Sequence, residues 1–229
     1  MEKQELQSAL AKAKDISDKR NFKQSFDLII NLKGLDPKKP EHQVDTFITL
    51  PHSRGKKIKI CGLVGAELNE QAKSVFDNAI QSDNFDKYKD KKEIKKLANE
   101  YDFFVAQANI MPKVATVFGR VFGPRGKMPN PKAGNVVPPN ANLKPLHEKL
   151  QRTIRATTKS APLIQCGVGT EDMKSEDIVE NAMTVYNAVL HILPNEQHNI
   201  KDIYVKLTMG KPVKVGEKLE AAKETKAHK

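Results

Sequence analysis

The sequence predicts an α/β protein of two domains, in which a Rossmann-like three-layer α/β domain is inserted into an α+β domain that is split along the chain. Two observations predict this architecture. Strand and helix patterns alternate through the middle of the chain, which is typical of a self-sufficient α/β domain. Each chain end carries strands and a helix that need partners to cover them. We therefore expect residues 1–56 and 157–229 to form the split domain, residues 57–156 to form the insert, and the two crossings to act as hinges.

The first segment has the order helix, strand, loop, strand. Residues 3–19 place apolar side chains three and four positions apart, which predicts an amphipathic helix. From Ser25 to Leu35 apolar residues occupy alternate positions, as they do in a strand with one buried face. The same alternation from Val44 to Leu50 predicts a second strand, which ends at Pro51.

The middle segment alternates strands with helices. Apolar residues run from Ile58 to Val64 and stop at Gly65, after which Glu67 to Phe76 suits a helix. A strand that leads through glycine into a helix is how a βαβ unit begins. Further elements of this segment are predicted as a strand at 103–106 and as helices at 87–100, 111–117 and 143–154.

The last segment supplies the remaining partners of the split domain. Ala161 to Val168 is a predicted strand, and Ser175 is a predicted cap for a long helix that Pro194 stops. The alternation from Ile203 to Leu207 predicts a final strand. Residues 217–229 have little apolar content, so we expect a frayed tail.

The charge of the chain indicates a polyanionic partner. Its 229 residues include 39 Lys and Arg against 28 Asp and Glu, a net charge of +11. Clustered cations gain free energy by releasing counterions from phosphates. Residues 1–56 carry 11 basic and 8 acidic side chains, residues 57–156 carry 18 and 10, and residues 157–229 carry 10 and 10. The excess therefore lies in the insert.

The insert contains one stretch, Gly119 to Asn135, in which every charged residue is basic. It holds Arg120, Arg125, Lys127 and Lys132 and no acidic residue, so we expect a loop that makes salt-dependent contacts with a polyanion. The alternative is structural, because the glycines and prolines of the stretch can fix the path of the chain near a hinge. A rigid basic loop can do both.

The sequence does not match the motifs of phosphate-binding or dinucleotide-binding enzymes. A phosphate-binding loop ending at Lys127 needs glycine at 121 and Ser or Thr at 128, but these positions are Val and Met. Gly167 and Gly169 begin a dinucleotide fingerprint, yet Asp172 takes the place of its third glycine. No histidine pair has the spacing of metal ligands on one helix face. We therefore expect no enzyme, no cofactor and no metal.

The cysteines and the hydropathy pattern favour a cytoplasmic protein. Cys61 and Cys166 stand 105 positions apart, which excludes a disulfide framework or a four-cysteine zinc site and predicts two buried structural thiols. No stretch approaches the roughly 18 apolar residues that a membrane helix needs. Residues 1–5 lack the basic and apolar regions of a secretion signal.

A specific resemblance enters at Gly123 to Gly134, where the sequence is Gly-Pro-Arg-Gly-Lys-Met-Pro-Asn-Pro-Lys-Ala-Gly. These twelve residues resemble the signature of the large-subunit ribosomal protein L-one family, the proteins of the mobile stalk beside the tRNA exit site. The resemblance extends from about Asn21 to Val215. Further matching stretches are 31–37, 50–52 and 208–210, and 97–104 and 137–140 resemble the archaeal branch.

The resemblance implies a function and a set of partners. It implies a structural protein of the large ribosomal subunit that binds stalk rRNA chiefly through the split domain and whose domains open and close about a hinge. It also implies a part in the release of deacylated tRNA from the exit site, and translational repression through binding of its own mRNA. We expect the free protein to be a monomer.

The resemblance also implies the RNA-binding residues. They are Phe22, Ser25, Asp27, Lys159, Gln165, Thr208, Met209 and Gly210. Their chemistry suits RNA, since a threonine hydroxyl can meet a phosphate or a 2′-hydroxyl and glycine lets an RNA backbone approach closely. Position 165 departs from the histidine expected in bacterial relatives.

Two other functions stay open on the sequence alone. A phosphate-handling enzyme would use the loop from Gly119 to Lys127, although both motif tests argue against it. A general basic binder would show an affinity that follows charge and ignores the fold of the RNA. If the family function holds, the split domain supplies shape-specific contacts that need little net charge. The insert then adds secondary, salt-dependent RNA contacts through Arg120, Arg125, Lys127 and Lys132.

Overall fold

The chain folds into two compact units. The computed structural model describes residues 2–35, 39, 42–158 and 161–216, so the expected frayed tail at 217–229 lies outside the described residues. The split unit comprises Met1–Gly55 and Ile154–Lys229, and the inserted unit comprises Lys56–Thr153. Helices combine with antiparallel strands in the first and with parallel strands in the second, which confirms the predicted α/β class.

The regular elements follow in chain order. The α-helices are α1 (Lys3–Ile16), α2 (Asn69–Val75), α3 (Lys91–Glu100), α4 (Met111–Arg125), α5 (Leu143–Gln151) and α6 (Ser175–Ile192). The strands are β1 (Ser25–Leu32), β2 (Asp45–Thr49), β3 (Ile60–Val64), β4 (Asn78–Gln81), β5 (Phe103–Gln107), β6 (Val136–Val137), β7 (Thr153–Thr157), β8 (Leu163–Thr170), β9 (Ile200–Leu207) and β10 (Val213–Lys214).

The split unit is built on a four-stranded antiparallel sheet with the order β10-β9-β1-β8. Alternate residues of β1 are buried, and Leu28 lies opposite Cys166 of β8 and Val205 of β9. The apolar faces of α1 and α6 share one core with these strands. The other face of the sheet carries the polar residues of β1, which alternation places there. A two-stranded sheet pairs β2 with β7.

The inserted unit is a three-layer domain around a parallel sheet with the order β4-β3-β5-β6. Every residue of β3 is buried, as expected for a parallel strand covered on both faces. Cys61 and Leu63 pack into the core shared with α3 and α4. Ile60 and Val64 pack into the core shared with α2 and α5. The period of two in β3 thus separates the two helical layers.

Helix α4 corrects the predicted basic loop. It continues past the predicted end at 117 to Arg125, so Arg120 and Arg125 stand on a helix. Phe118, Val121 and Phe122 are buried on one face, and their burial outweighs the low helix propensity of the glycines within the helix. Gly126 ends the helix with φ +65°, a conformation that glycine adopts without strain.

Several element boundaries also differ from the prediction. Strands β4 and β7 were not predicted, and the predicted helix at 143–154 overran into β7. Residues 82–89 form a 3₁₀ helix, and the following α-helix begins only after Asp90, whose side chain accepts from the Lys92 amide. Lys174, not Ser175, is the N-cap residue of α6, and no side chain caps that helix. Helix α1 ends at Ile16, three residues early.

The aromatic core of the inserted unit yields a stability prediction. Phe122 is fully buried and stacks on Phe104 and Phe118 at centroid distances of 4.1 Å and 5.2 Å. Phe122→Ala should lower the free energy of unfolding by about 3–5 kcal/mol, because the cavity adds to the lost transfer energy. The control Phe22→Ala, at a side chain that is 51% exposed, should cost less than about 1 kcal/mol in urea denaturation. Equal losses in the two variants would contradict this account of the core.

Candidate nucleic-acid interface

Two predicted residues from opposite ends of the chain meet at one end of the four-stranded sheet. The Ser25 amide donates to Thr208 Oγ1 at 3.0 Å, and the Thr208 hydroxyl donates to the Ser25 carbonyl at 3.3 Å. The hydroxyl hydrogen is therefore engaged, while one oxygen lone pair remains available. A 2′-hydroxyl can donate to that lone pair without breaking either bond, whereas a phosphate, which only accepts, would have to displace the Ser25 carbonyl. This geometry favours ribose over phosphate at Thr208.

The turn after β9 displays the predicted Met209. The Gly210 amide donates to the Leu207 carbonyl at 2.9 Å and closes the turn. The Met209 amide donates to Gln24 Oε1 at 3.2 Å, and the Met209 side chain is 62% exposed. Phe22, which precedes β1, is also exposed. Both side chains can offer apolar surface to a base or a ribose.

Gly210 has a packing role that the sequence did not reveal. A Cβ atom at this position would collide with Ser17 Oγ, directly after α1, and would crowd Leu207. The Ser17 hydroxyl is itself held, because it donates to the Ala13 carbonyl at 2.7 Å. Glycine is thus required by close packing within the protein, in addition to any approach of RNA.

Asp27 and Gln165 form a polar pair on the open face of the sheet. Gln165 Nε2 donates to Asp27 Oδ2 at 3.1 Å between the adjacent strands β8 and β1. The amide thus orients the carboxylate, whose remaining lone pairs can accept from a guanine or a 2′-hydroxyl. The pair borders a cleft of about 560 Å³, which is also lined by Arg155, Thr157, Ala161, Leu163 and Gly167.

The other predicted contacts are not gathered in one place. Lys159 lies outside the described residues. Arg120 is exposed on α4, and Lys132 is exposed in the short 3₁₀ turn Pro131–Ala133. Arg125 Nη1 donates to Asn99 Oδ1 and to the Lys95 carbonyl of α3. Arg125 is therefore bound to α3, and so is Lys127, two residues further along the chain.

The Lys127 ammonium binds carbonyl groups at the carboxyl end of α3. Its Nζ donates to the carbonyls of Ala98 and Tyr101 at 2.9 Å and 2.7 Å. Burial lowers the pKa of the Lys127 ammonium, and the Asp102 carboxylate opposes that shift. An ammonium at the end of a helix binds carbonyls that have no partner within the helix and interacts favourably with the helix dipole. The structural alternative for this stretch is thus supported at Lys127.

The remaining chemistry of the chain gives no catalytic centre among the described residues. Cys61 and Cys166 are free and buried, as predicted, and burial raises the pKa of each thiol to about 12. A thiol with such a pKa holds almost no thiolate at neutral pH and is a poor nucleophile. Within the described part of the chain, no cluster of three or more His, Cys, Asp or Glu side chains could hold a metal ion. None of the described helices is long and apolar enough to span a membrane.

The contacts of Lys127 predict a stability effect at that position. Lys127→Met should lower the free energy of unfolding by about 1–3 kcal/mol, because two partly buried carbonyls lose their donor. Lys132→Met removes the same charge at an exposed position and should change stability by less than about 0.5 kcal/mol. Thermal and urea unfolding of both variants measure the difference. A Lys127→Met protein as stable as Lys132→Met would exclude the structural role.

Comparison with known proteins finds relatives along nearly the whole chain. The family model described as "Ribosomal protein L1p/L10e family" matches residues 10–211. The large ribosomal subunit protein uL1 of Methanocaldococcus jannaschii is 41% identical over 225 residues, 98% of this chain and 100% of that protein. The uL1 proteins of Methanothermobacter thermautotrophicus and Nanoarchaeum equitans are 44% and 45% identical, over 93% and 86% of this chain and 99% and 93% of their own lengths. The family resemblance at Gly123 to Gly134 and the archaeal resemblance at 97–104 and 137–140 are thereby confirmed, and the chain belongs to the ribosomal protein L1p/L10e family.

Proposed function

We propose that the protein binds stalk rRNA of the large ribosomal subunit through the split unit. The observation that carries the proposal is the pair of hydrogen bonds between Ser25 and Thr208. This pair sets a hydroxyl acceptor beside the exposed side chain of Met209. Asp27 lies two residues after Ser25 on β1, so the Cα atoms of the two residues are about 7 Å apart. A ribose, a base and a guanine edge can therefore be contacted together.

The family supports the coarser function directly. As a member of the L1 family the chain is a structural protein of the large ribosomal subunit and not an enzyme, as the sequence predicted. Its place is on the ribosome in the cytoplasm. Membership of this family therefore rules out the alternative function of a phosphate-handling enzyme.

The proposed contacts recognise the shape of the RNA more than its charge. Thr208, Met209, Asp27 and Gln165 carry one negative and no positive charge between them. Two cations are near these contacts: Lys206 lies opposite Asp27 in the register of β9, and Arg155, which lines the same cleft, is paired with Asp45. Few phosphate contacts release few counterions, so the affinity of this site should fall slowly with salt. Selectivity would come from 2′-hydroxyl and base contacts.

The same reasoning extends the proposal to a second RNA. A site that recognises an arrangement of riboses and bases accepts any RNA that presents the same arrangement. We propose that the mRNA of the protein does so, which would make the protein a repressor of its own translation. For exit-site tRNA, the exposed cations Arg120 and Lys132 of the inserted unit are the proposed contacts.

The site predicts selective effects on RNA affinity. Thr208→Val removes the hydroxyl at nearly constant volume and should weaken binding to a stalk rRNA fragment roughly tenfold. Met209→Ala should weaken it by a similar factor, because apolar surface that contacts a base or a ribose is lost. Thr184→Val is the matched control, since the Thr184 hydroxyl of α6 donates only to the Glu180 carbonyl, and should bind like the wild type.

The measurement is a binding titration across a salt series with the stalk fragment and a permuted RNA of equal length. The proposal requires a preference for the stalk fragment that persists at high salt. Equal affinities that fall together steeply with salt would reduce the protein to a general basic binder.

We also propose that the two chain crossings near 55–56 and 153–154 act as hinges in tRNA release. Because both native thiols are buried, cysteines introduced at the exposed Ser8 and Lys113 can be labelled selectively. Single-molecule energy transfer should then report more than one distance in the free protein and a changed distribution with bound tRNA. One unchanging distance, with and without RNA, would refute the hinge.

A further inference from the structure

We propose that Gln24 is the positioning residue of the RNA site, which holds the turn Thr208–Gly210 in its binding geometry before RNA arrives. The proposal rests on the proposed function of that turn. Gln24 precedes β1 and is 2% exposed, so it cannot touch RNA itself. Any effect it has on RNA binding must pass through the residues that it holds.

Every hydrogen-bonding group of Gln24 has a part in joining three segments. Side-chain Oε1 accepts from the Met209 amide at 3.2 Å, and Nε2 donates to the Asp18 carbonyl beyond α1 at 3.3 Å. The backbone amide donates to Glu171 Oε1 at 3.2 Å, and the backbone carbonyl accepts from the Glu171 amide at 3.0 Å. One residue therefore links the end of α1, the turn between β8 and α6, and the turn after β9.

The partners of the side chain leave one choice of residue. Met209 offers a backbone N–H, which can only donate, and Asp18 offers a carbonyl, which can only accept. A primary amide of glutamine length satisfies both at once. A carboxylate could bind Met209 but would face the Asp18 carbonyl without a proton, and an apolar side chain of the same length would bind neither.

The burial of an amide here indicates that its hydrogen bonds are what the position requires. Gln24 continues the alternation of Phe26 and Leu28, which fill the core from β1. An apolar side chain would bury at this position without the cost of removing an amide from water. The amide is compatible with burial only because both of its ends are bonded.

Gln24 supplies the contact that restrains the middle residue of the turn. Met209 is mostly exposed, so the turn buries no apolar side chain of its own. Within the described chain, the two bonds with Ser25 hold Thr208, the bond to Leu207 and the packing on Ser17 hold Gly210, and the Gln24 bond holds the Met209 backbone. Without the last of these, the turn would lose conformational entropy on binding that the wild type has already lost on folding.

The experiment compares two substitutions at Gln24 with a matched buried amide. Gln24→Met keeps the length and loses both hydrogen bonds, while Gln24→Glu keeps the acceptor for Met209. Asn199→Leu is the control, because Asn199 is 4% exposed and bridges the Asn195 amide and the Lys33 carbonyl at the opposite end of β1 and β9. Affinity for the stalk rRNA fragment and hydrogen exchange of the Met209 amide are measured for each folded protein.

The expected pattern separates positioning from stability. Gln24→Met should lose roughly tenfold in affinity and show faster exchange at Met209, while Gln24→Glu stays within about threefold of the wild type. Asn199→Leu should lose stability but keep wild-type affinity and Met209 exchange. Wild-type affinity in folded Gln24→Met would overturn the proposal.

The wild-type protein supplies a test that needs no variant. If Gln24 holds the turn, the Met209 amide exchanges far more slowly than the same amide in an unstructured peptide, although its side chain is exposed. Exchange at the peptide rate would overturn the proposal even if no Gln24 variant folds. A wild type that does not prefer stalk rRNA would refute the proposed function instead, and slow Met209 exchange would still show that the turn is held.

Discussion

The antiparallel pairing of β1 with β9 is the constraint on which the split unit depends. It sets residues 26–32 of the first segment against residues 200–207 of the last, with Phe26 opposite Leu207. Strands from both ends of the chain therefore share one sheet and one core with α1 and α6. The chain leaves this unit after Gly55 and returns at Ile154, so a second compact unit is accommodated without interrupting the core. The same register carries Thr208 to Ser25, one position beyond the last pair.

The recognition chemistry that we propose for this pairing differs from what net charge suggests. The excess of basic residues lies in the middle of the sequence, yet Lys127 and Arg125 bind carbonyl and amide oxygens of α3. The net charge includes every cation, whether that cation binds an RNA phosphate or the carbonyl groups at the end of a helix. The site at the end of the sheet instead combines a bonded hydroxyl, an oriented carboxylate and an exposed thioether. In the proposed function, these groups discriminate RNA by geometry, which a basic surface cannot do.

The elements that the sequence predicts well are those with a long periodic pattern. Strand β1 and helix α6 each bury a regular face, so alternation or helical spacing identifies them. Strand β4 is short and only one of its residues is buried, which leaves too little pattern to detect, whereas β7 was missed because the predicted helix at 143–154 overran its start. Helix α4 was shortened in the prediction because Gly119, Gly123 and Pro124 disfavour helix, although the burial of Phe118 and Phe122 extends it. Gln24 offered a signal that was not used, since it is a polar residue in phase with the buried positions of β1.

By itself the sequence determined the fold class, the family through the stretch from Gly123 to Gly134, and the two buried thiols, because these depend on local pattern and composition. Tertiary structure alone decided what the predicted site residues touch. Thr208 is bonded to Ser25 across 183 positions, Met209 to Gln24 across 185, and Gln165 to Asp27 across 138. Gly210 and Ser17, which pack together, are also far apart in the chain. Such contacts follow from strand register and helix packing. Both bring together residues whose contact cannot be predicted from their spacing along the sequence.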